Sequence, residues 1–149
     1  MLKFEQITYQ SPLYDKVVQL RERILRAPLG LTFSESDLSA DKNEMLFALT
    51  DNGEPVACLQ IKPLTKTQVK LRQMAVDTNR QRQNLGTKLV KEVEKILKEQ
   101  HIKSIELHAR ESAIGFYQKL GYHVISERFI EVGIPHFKML KVVENLQCS

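Results

Sequence analysis

An α+β domain is predicted by three features of the chain: two period-2 apolar alternations, an amphipathic helical stripe after each, and an Asn-Gly turn between two β-rich runs. In the first alternation Val69, Leu71, Gln73 and Ala75 interleave with Lys70, Arg72, Met74 and Val76. Asp77, Thr78 and Asn79 then supply turn formers, and Leu85, Leu89, Val90, Val93, Ile96 and Leu97 fall at helical spacing with Lys88, Lys91, Glu92, Lys95 and Glu99 opposite them. In the second, Ile105, Leu107 and Ala109 alternate with Glu106, His108 and Arg110; Ala113, Phe116, Tyr117 and Leu120 then share a helical stripe that Gly121 is placed to stop. The Asn-Gly pair lies in Asp51-Asn52-Gly53, between the runs Met45 to Thr50 and Val56 to Lys62.

The remaining elements follow in order. Leu2 to Thr8 alternates weakly and suits a first strand. Leu13, Val17, Leu20, Ile24 and Leu25 stripe a helix that ends around Ala27-Pro28, because the residue before proline avoids helical geometry. Residues 29–42 read as loop, with a helical turn offered by Ser34-Glu35-Ser36-Asp37. After the second stripe, Tyr122 to Phe129 and His136 to Val142 read as strands joined across Gly133-Ile134-Pro135. The resulting order is β-α-(loop)-β-β-β-α-β-α-β-β, with no repeat, low-complexity tract or linker, so a single domain over 1–149 is expected.

Composition narrows the function classes. No apolar run approaches membrane-spanning length and no secretory leader pattern opens the chain, so a cytoplasmic protein without a membrane partner is expected. Cys58 and Cys148 offer neither metal-ligand spacing nor a disulfide framework, and no metal is expected. The net charge of +4 suits an anionic ligand. Arg72, Arg80, Arg82, Lys88 and Lys91 lack the interleaved aromatics or helix-turn-helix pattern of a nucleic-acid binder.

The helix beginning near Asn84 and Gly86 leaves its first N–H groups without intrahelical partners, an arrangement suited to phosphate or pyrophosphate. Gln81-Arg82-Gln83-Asn84-Leu85-Gly86 resembles the acetyl-CoA pyrophosphate loop Q/R-x-x-G-x-G/A of the GNAT superfamily of N-acetyltransferases, with Asn84 at the first glycine position. Asn tolerates positive φ better than other non-glycine residues, and it also serves as an N-cap. Ala113-Ile114-Gly115-Phe116-Tyr117-Gln118-Lys119-Leu120-Gly121-Tyr122 resembles the second signature of that superfamily, A-x-x-F-Y-x-x-L-G-[FY]. With their flanking strands the two signatures cover roughly the last three fifths of the chain. The resemblance implies a mixed, strongly twisted sheet of six to seven strands with helices on both faces.

The resemblance also implies acetyl-CoA as acyl donor and a division of labour. Met74, Ala75 and Val76 would pair with the pantetheine arm, with the Val76 N–H facing the developing oxyanion. Gln81, Arg82, Gln83, Asn84, Leu85, Gly86 and Thr87 would hold the pyrophosphate. Tyr117 matches the family tyrosine that protonates the departing thiolate; a thiol near ~8.5 and a phenol near ~10 make that transfer roughly matched. A core tyrosine is the alternative reading. Arg110 stands where many members carry a cofactor-contacting asparagine.

A primary amine must lose a proton before attack, and His136 and His108 are the candidate bases, with Glu44 and Glu131 behind them. Phe129 to His136 resembles the E-x-G-I-P-H stretch of a bacterial subset including ElaA-like proteins. Leu20 to Leu31 resembles LR-x-x-V/I-L-R-x-P-L-G-L of small bacterial members, where Arg23 and Arg26 would either meet an acidic group of the acceptor or form a solvated face. The expected activity is acetyl transfer to a primary amine, in the first place of a small molecule. A protein amine and a non-catalytic acyl-CoA sensor are the alternatives. A homodimer is left open.

Overall fold

The computed structural model describes residues 1–143, with backbone alone for Gln81 and Arg82; the expectation for Cys148 lies outside this range. Contacts divide the chain into two compact units, Met1–Lys62 with Gln73–Lys95, and Pro63–Arg72 with the chain from Ile96 onward.

The first unit holds β1 (Leu2–Ile7), α1 (Pro12–Arg21), α2 (Glu35–Ser39), β2 (Met45–Asp51), most of β3 (Glu54–Pro63) and the end of β4 (Gln68–Val76), which runs on from the second unit. Strands follow the order β1-β2-β3-β4. The β2–β3 connection is the expected two-residue hairpin, with Asn52 and Gly53 both at positive φ (52° and 82°). Helix α1 starts where Ser11 accepts the Tyr14 N–H and Pro12 occupies the first turn. It passes into a π-helical turn, Glu22–Arg26, and a short 3-10 turn, Ala27–Leu29, closed by left-handed Gly30. The proline-bounded stop was foreseen; the wider turn before it was not. In the segment read as loop, Ser34 and Asp37 form a reciprocal capping box that initiates α2.

Beneath α1, Ile7, Tyr14, Val17, Leu20, Leu46, Ala48, Cys58 and Ala75 form one apolar cluster. Burial pushes the Cys58 thiol up to about 12, so it behaves as a small hydrophobe. Into this core the chain places a charge node. Asp41 and Arg21 are each 1% exposed and lie 2.7 Å apart. Tyr14 donates to the same carboxylate oxygen at 2.7 Å, and Gln60 donates to the other at 2.7 Å. Burial and the Asp41 carboxylate both raise the Tyr14 phenol, which therefore remains a donor. Phe33 lies under Arg21 and Arg26, their guanidinium carbons 4.7 and 4.6 Å from its ring centre.

The second unit contains the start of β4, β5 (Ser104–Arg110), α4 (Ile114–Lys119), β6 (His123–Val124), β7 (Phe129–Glu131) and β8 (Ile134–Val142), ordered β4-β5-β8-β6 with β7 paired to β8. Helix α3 (Leu85–Glu99) leads into it from the first. The β4–β5 ladder is parallel and β5–β8 antiparallel, so the sheet is mixed, as expected. Gly121 is left-handed (φ 98°) and ends the last helix as foreseen.

Among the described residues eight strands appear instead of six or seven because the run 122–129 breaks. The Ser126 hydroxyl accepts the Lys138 N–H at 2.8 Å, replacing a ladder bond, so only β6 and β7 remain as strand on either side. The following turn also differs. It centres on Val132 and Gly133 (φ 45° and 78°), and Ile134 and Pro135 already belong to β8.

Asp41→Ala leaves Arg21 buried without its counter-ion and should cost ~3–5 kcal/mol in urea unfolding. Lys16→Ala removes the exposed Lys16–Glu54 pair (2.8 Å) and should cost under ~1 kcal/mol.

Candidate active site

The parallel ladder of β4 with β5 comprises four pairs, Gln68–Leu71 against Ser104–Leu107, whereas β4 itself runs to Val76 and β5 to Arg110. Two residues past the last ladder pair, Gln73 takes a positive φ (54°), an irregularity of the kind found where strand pairing ends. Beyond it Ala75 is buried, while Met74 and Val76 are half-buried. The Asp77 N–H returns to the Val56 carbonyl (2.9 Å), and its carboxylate caps a 3-10 turn, Thr78–Gln83, by accepting the Asn79 N–H (3.1 Å). Gln81, Arg82 and Gln83 all fall in this turn.

Asn84 then adopts φ 57°, ψ 30°, the left-handed geometry for which the glycine-like reading of this position called. Its carbonyl accepts the Lys88 N–H at 3.1 Å, the first bond of α3. The N–H groups of Leu85, Gly86 and Thr87 lie in the first turn of α3, ahead of that bond, where a helix offers its amides no carbonyl of its own. Leu85 and Gly86 are buried and Thr87 half-buried. Leu89, Val90, Val93 and Leu97 bury the apolar stripe that fixes the axis of α3.

A cavity of about 460 Å³ adjoins this region, lined by Lys16, Arg23, Asp51, Glu54, Asp77 and Arg80 among others. Its cations are matched: Lys16 with Glu54, Arg80 with Asp51 (2.7 Å) and Arg23 with Asp77 (3.6 Å). Arg23 thus has a carboxylate of its own chain for a partner. Glu44, one of the two weaker candidate bases, accepts from Gln60 at 3.1 Å.

In the second unit Tyr117 is buried on α4, edge-on to Phe116 and Tyr122. Burial raises its phenol above the ordinary value, which keeps it protonated but widens the gap to a thiol that an unperturbed phenol would nearly match. His108, Glu131 and His136 come together. Glu131 Oε1 lies 2.9 Å from His108 Nδ1, and its Oε2 lies 3.7 Å from His136 Nε2. Lys70 Nζ approaches His108 Nδ1 at 3.4 Å. The His136 Nδ1–H donates to the Ile134 carbonyl at 2.9 Å, since a carbonyl only accepts. Phe129 meets the His108 ring edge-on at 5.1 Å and stacks on His136 at 6.0 Å.

Burial pushes the Glu131 carboxyl up, but the hydrogen bond from His108 and the charges of His108, His136 and Lys70 outweigh it and hold the group below its ordinary range. His101 and His123 are exposed, as expected. Sequence reasoning missed the bridge itself. Reading the turn at Val132-Gly133 would have exposed it, because that register pairs Phe129 with His136 and sets Glu131 beside them.

The sequence matches the family model of the acetyltransferase (GNAT) domain over residues 32–143. The chain belongs to the GNAT family. Its likeness to the Bacillus subtilis protein YyaT is 33% identity over 111 residues, 74% of each chain. The fold of this GNAT protein matches Escherichia coli ElaA with a TM-score of 0.79 at 21% identity, over 95% of this chain and 99% of that one. It also matches an aminoglycoside 6'-N-acetyltransferase complexed with coenzyme A, TM-score 0.78 at 18% identity, over 96% and 98%. At these identities the likeness to solved structures is one of fold. The family uses acetyl-CoA, and the GNAT model runs through both compact units.

Because Asn84 is left-handed, Asn84→Gly should leave stability within ~0.5 kcal/mol, relief of the Cβ offsetting glycine's added chain entropy. Asn84→Ile should lose ~1–2 kcal/mol or more in urea unfolding, since a β-branched residue is a strong outlier there.

Proposed function

We propose that this GNAT protein is an acetyl-CoA-dependent N-acetyltransferase acting on a primary amine of a small molecule, as one acetyltransferase domain. The observation that carries the reading is left-handed Asn84 opening α3, which reproduces the backbone turn of a glycine at that position and presents the Leu85, Gly86 and Thr87 amides in the helix's first turn. Gln81, Arg82 and Gln83 precede them in the proposed pyrophosphate loop, and Met74, Ala75 and Val76 form the strand end assigned to the pantetheine arm.

In this reading the donor is fixed along backbone groups, so that encounter with the amine becomes an oriented, near-unimolecular event. The amine nitrogen bonds to the thioester carbon, the Val76 N–H supports the oxyanion, and the carbon–sulfur bond breaks with a proton from Tyr117. Support for Tyr117 comes from its place in the A-x-x-F-Y-x-x-L-G-[FY] stretch; burial raises its phenol, so the transfer is matched only if the bound thiolate lies close enough to offset that rise. The amine's proton goes to the cluster of His108, Glu131 and His136, of which His136 is the residue singled out by the E-x-G-I-P-H stretch. The structural neighbour that is an aminoglycoside 6'-N-acetyltransferase makes a small-molecule amine panel the first place to look for an acceptor.

Acetyl-CoA should raise the thermal midpoint of the wild type by mass action. Gly86→Glu, which puts a side chain and a negative charge where the pyrophosphate must meet backbone, should abolish that rise while the variant remains folded by circular dichroism. An undiminished shift would sink the loop assignment.

Tyr117→Phe should keep that thermal shift and lower kcat by ~10²–10⁴ with little change in KM, because its proton is needed only as the carbon–sulfur bond breaks. Thiol release from acetyl-CoA across the amine panel measures this; wild-type turnover would return Tyr117 to a packing role.

A further inference from the structure

We propose that the proton acceptor is Nε2 of His108, held in place by Glu131, and that His136 supports this pair without taking the proton. The inference rests on the acetyltransferase reading and specifies which histidine serves it.

Position comes first. The β4–β5 ladder ends at Leu71 and Leu107, so His108 is the first residue of β5 past the last parallel pair. Its side chain is 20% exposed, against 5% for His136. Tautomer comes second. Two groups contend for His108 Nδ1, the Glu131 carboxylate at 2.9 Å and the Lys70 ammonium at 3.4 Å. The shorter contact requires a proton on Nδ1, because an ionised carboxylate only accepts, and the Glu131 carboxyl is held in that ionised form. Nε2 is then the basic nitrogen, oriented by a carboxylate behind the ring that also stabilises the imidazolium once formed.

His136 lacks that arrangement. Its Nδ1–H is committed to the Ile134 carbonyl, its ring is stacked on Phe129, and its Nε2 stands 3.7 Å from Glu131, beyond hydrogen-bond length. Glu131 in turn is presented by a turn whose Val132 is left-handed at φ 45°, a conformation a β-branched residue adopts only under constraint.

The step balances as follows. An ammonium acceptor gives one proton to His108 Nε2, and the freed lone pair forms the carbon–nitrogen bond. The carbon–sulfur bond breaks, and the thiolate takes the Tyr117 proton. The nitrogen's second proton is lost as the amide forms and restores the phenol, and His108 returns its proton to water. The titratable and charged groups around His108 are Lys70 on β4, Glu131 on β7, His136 and Lys138 on β8, and its β5 neighbours Glu106 and Arg110.

The test compares ethylamine, protonated at neutral pH, with 2,2,2-trifluoroethylamine, largely unprotonated there, under saturating acetyl-CoA. His108→Gln should lower kcat/KM for ethylamine by ~10²–10⁴ and flatten its rise with pH. Trifluoroethylamine needs no base, so its rate should stay within about threefold of wild type; a structural defect would depress both amines alike. Glu131→Gln removes the charge that favours the imidazolium, so the rising limb should move to lower pH with a reduced plateau. That variant carries the test if His108→Gln does not fold. His136→Ala should keep the limb.

Equal loss with both amines in His108→Gln, a limb unmoved in Glu131→Gln, or a limb abolished by His136→Ala instead would overturn the assignment. A wild type that binds acetyl-CoA but shows no amine-dependent thiol release removes the acetyltransferase reading itself, and this inference with it.

Discussion

Four pairs of parallel backbone, Gln68–Leu71 with Ser104–Leu107, are the constraint on which the proposed chemistry depends. A parallel pair needs a crossover, and α3 supplies it; the first turn of that crossover is the site assigned to an anion. Because the ladder is short, β4 keeps strand form to Val76 after its pairing with β5 has ended. Gln73 and Asn84, both at positive φ, bracket this stretch. One lies just past the end of the pairing, and the other turns the chain into the helix.

Each compact unit carries a carboxylate that gathers several partners, and the two contrast in exposure. In the first, Asp41 is 1% exposed and takes donors from Arg21, Tyr14 and Gln60. Such a node specifies one arrangement of α1 against the residues after α2, because any slip would strand a buried charge. In the second, the Glu131 side chain is 43% exposed and its partners are the imidazoles of His108 and His136. A buried, fully gathered carboxylate suits architecture. A partly exposed one holding titratable rings suits proton transfer.

The cavity beside α1 illustrates why charge alone does not define a site. Lys16, Arg23 and Arg80 line it, but each has a carboxylate within 4 Å, so the wall presents matched pairs instead of a net positive surface. Pairs this exposed contribute little to stability, and the sequence-level expectation that Arg23 meets an acidic acceptor must contend with Asp77.

The amino-acid sequence by itself determined the strand and helix order through the end of α4 save for α2, whose segment read as loop with a possible turn. It also determined the Asn52-Gly53 hairpin and the helix stop at Gly121, because each of these is written in local periodicity or in a residue's φ preference; at Asn84 it offered the left-handed conformation beside an N-cap. It also marked Tyr117, through a motif read on one helical face. Only the tertiary structure decided what happens after Tyr122. Ser126 interrupts a run whose residues alone favour strand, because its hydroxyl captures the Lys138 N–H, twelve residues away. The turn moved to Val132-Gly133 against valine's local preference, since the β7–β8 pairing outweighs one strained dihedral. With that shift came the meeting of His108, Glu131 and His136. Their sequence separations carry no periodic signal, so a strand register had to bring them within reach of one another.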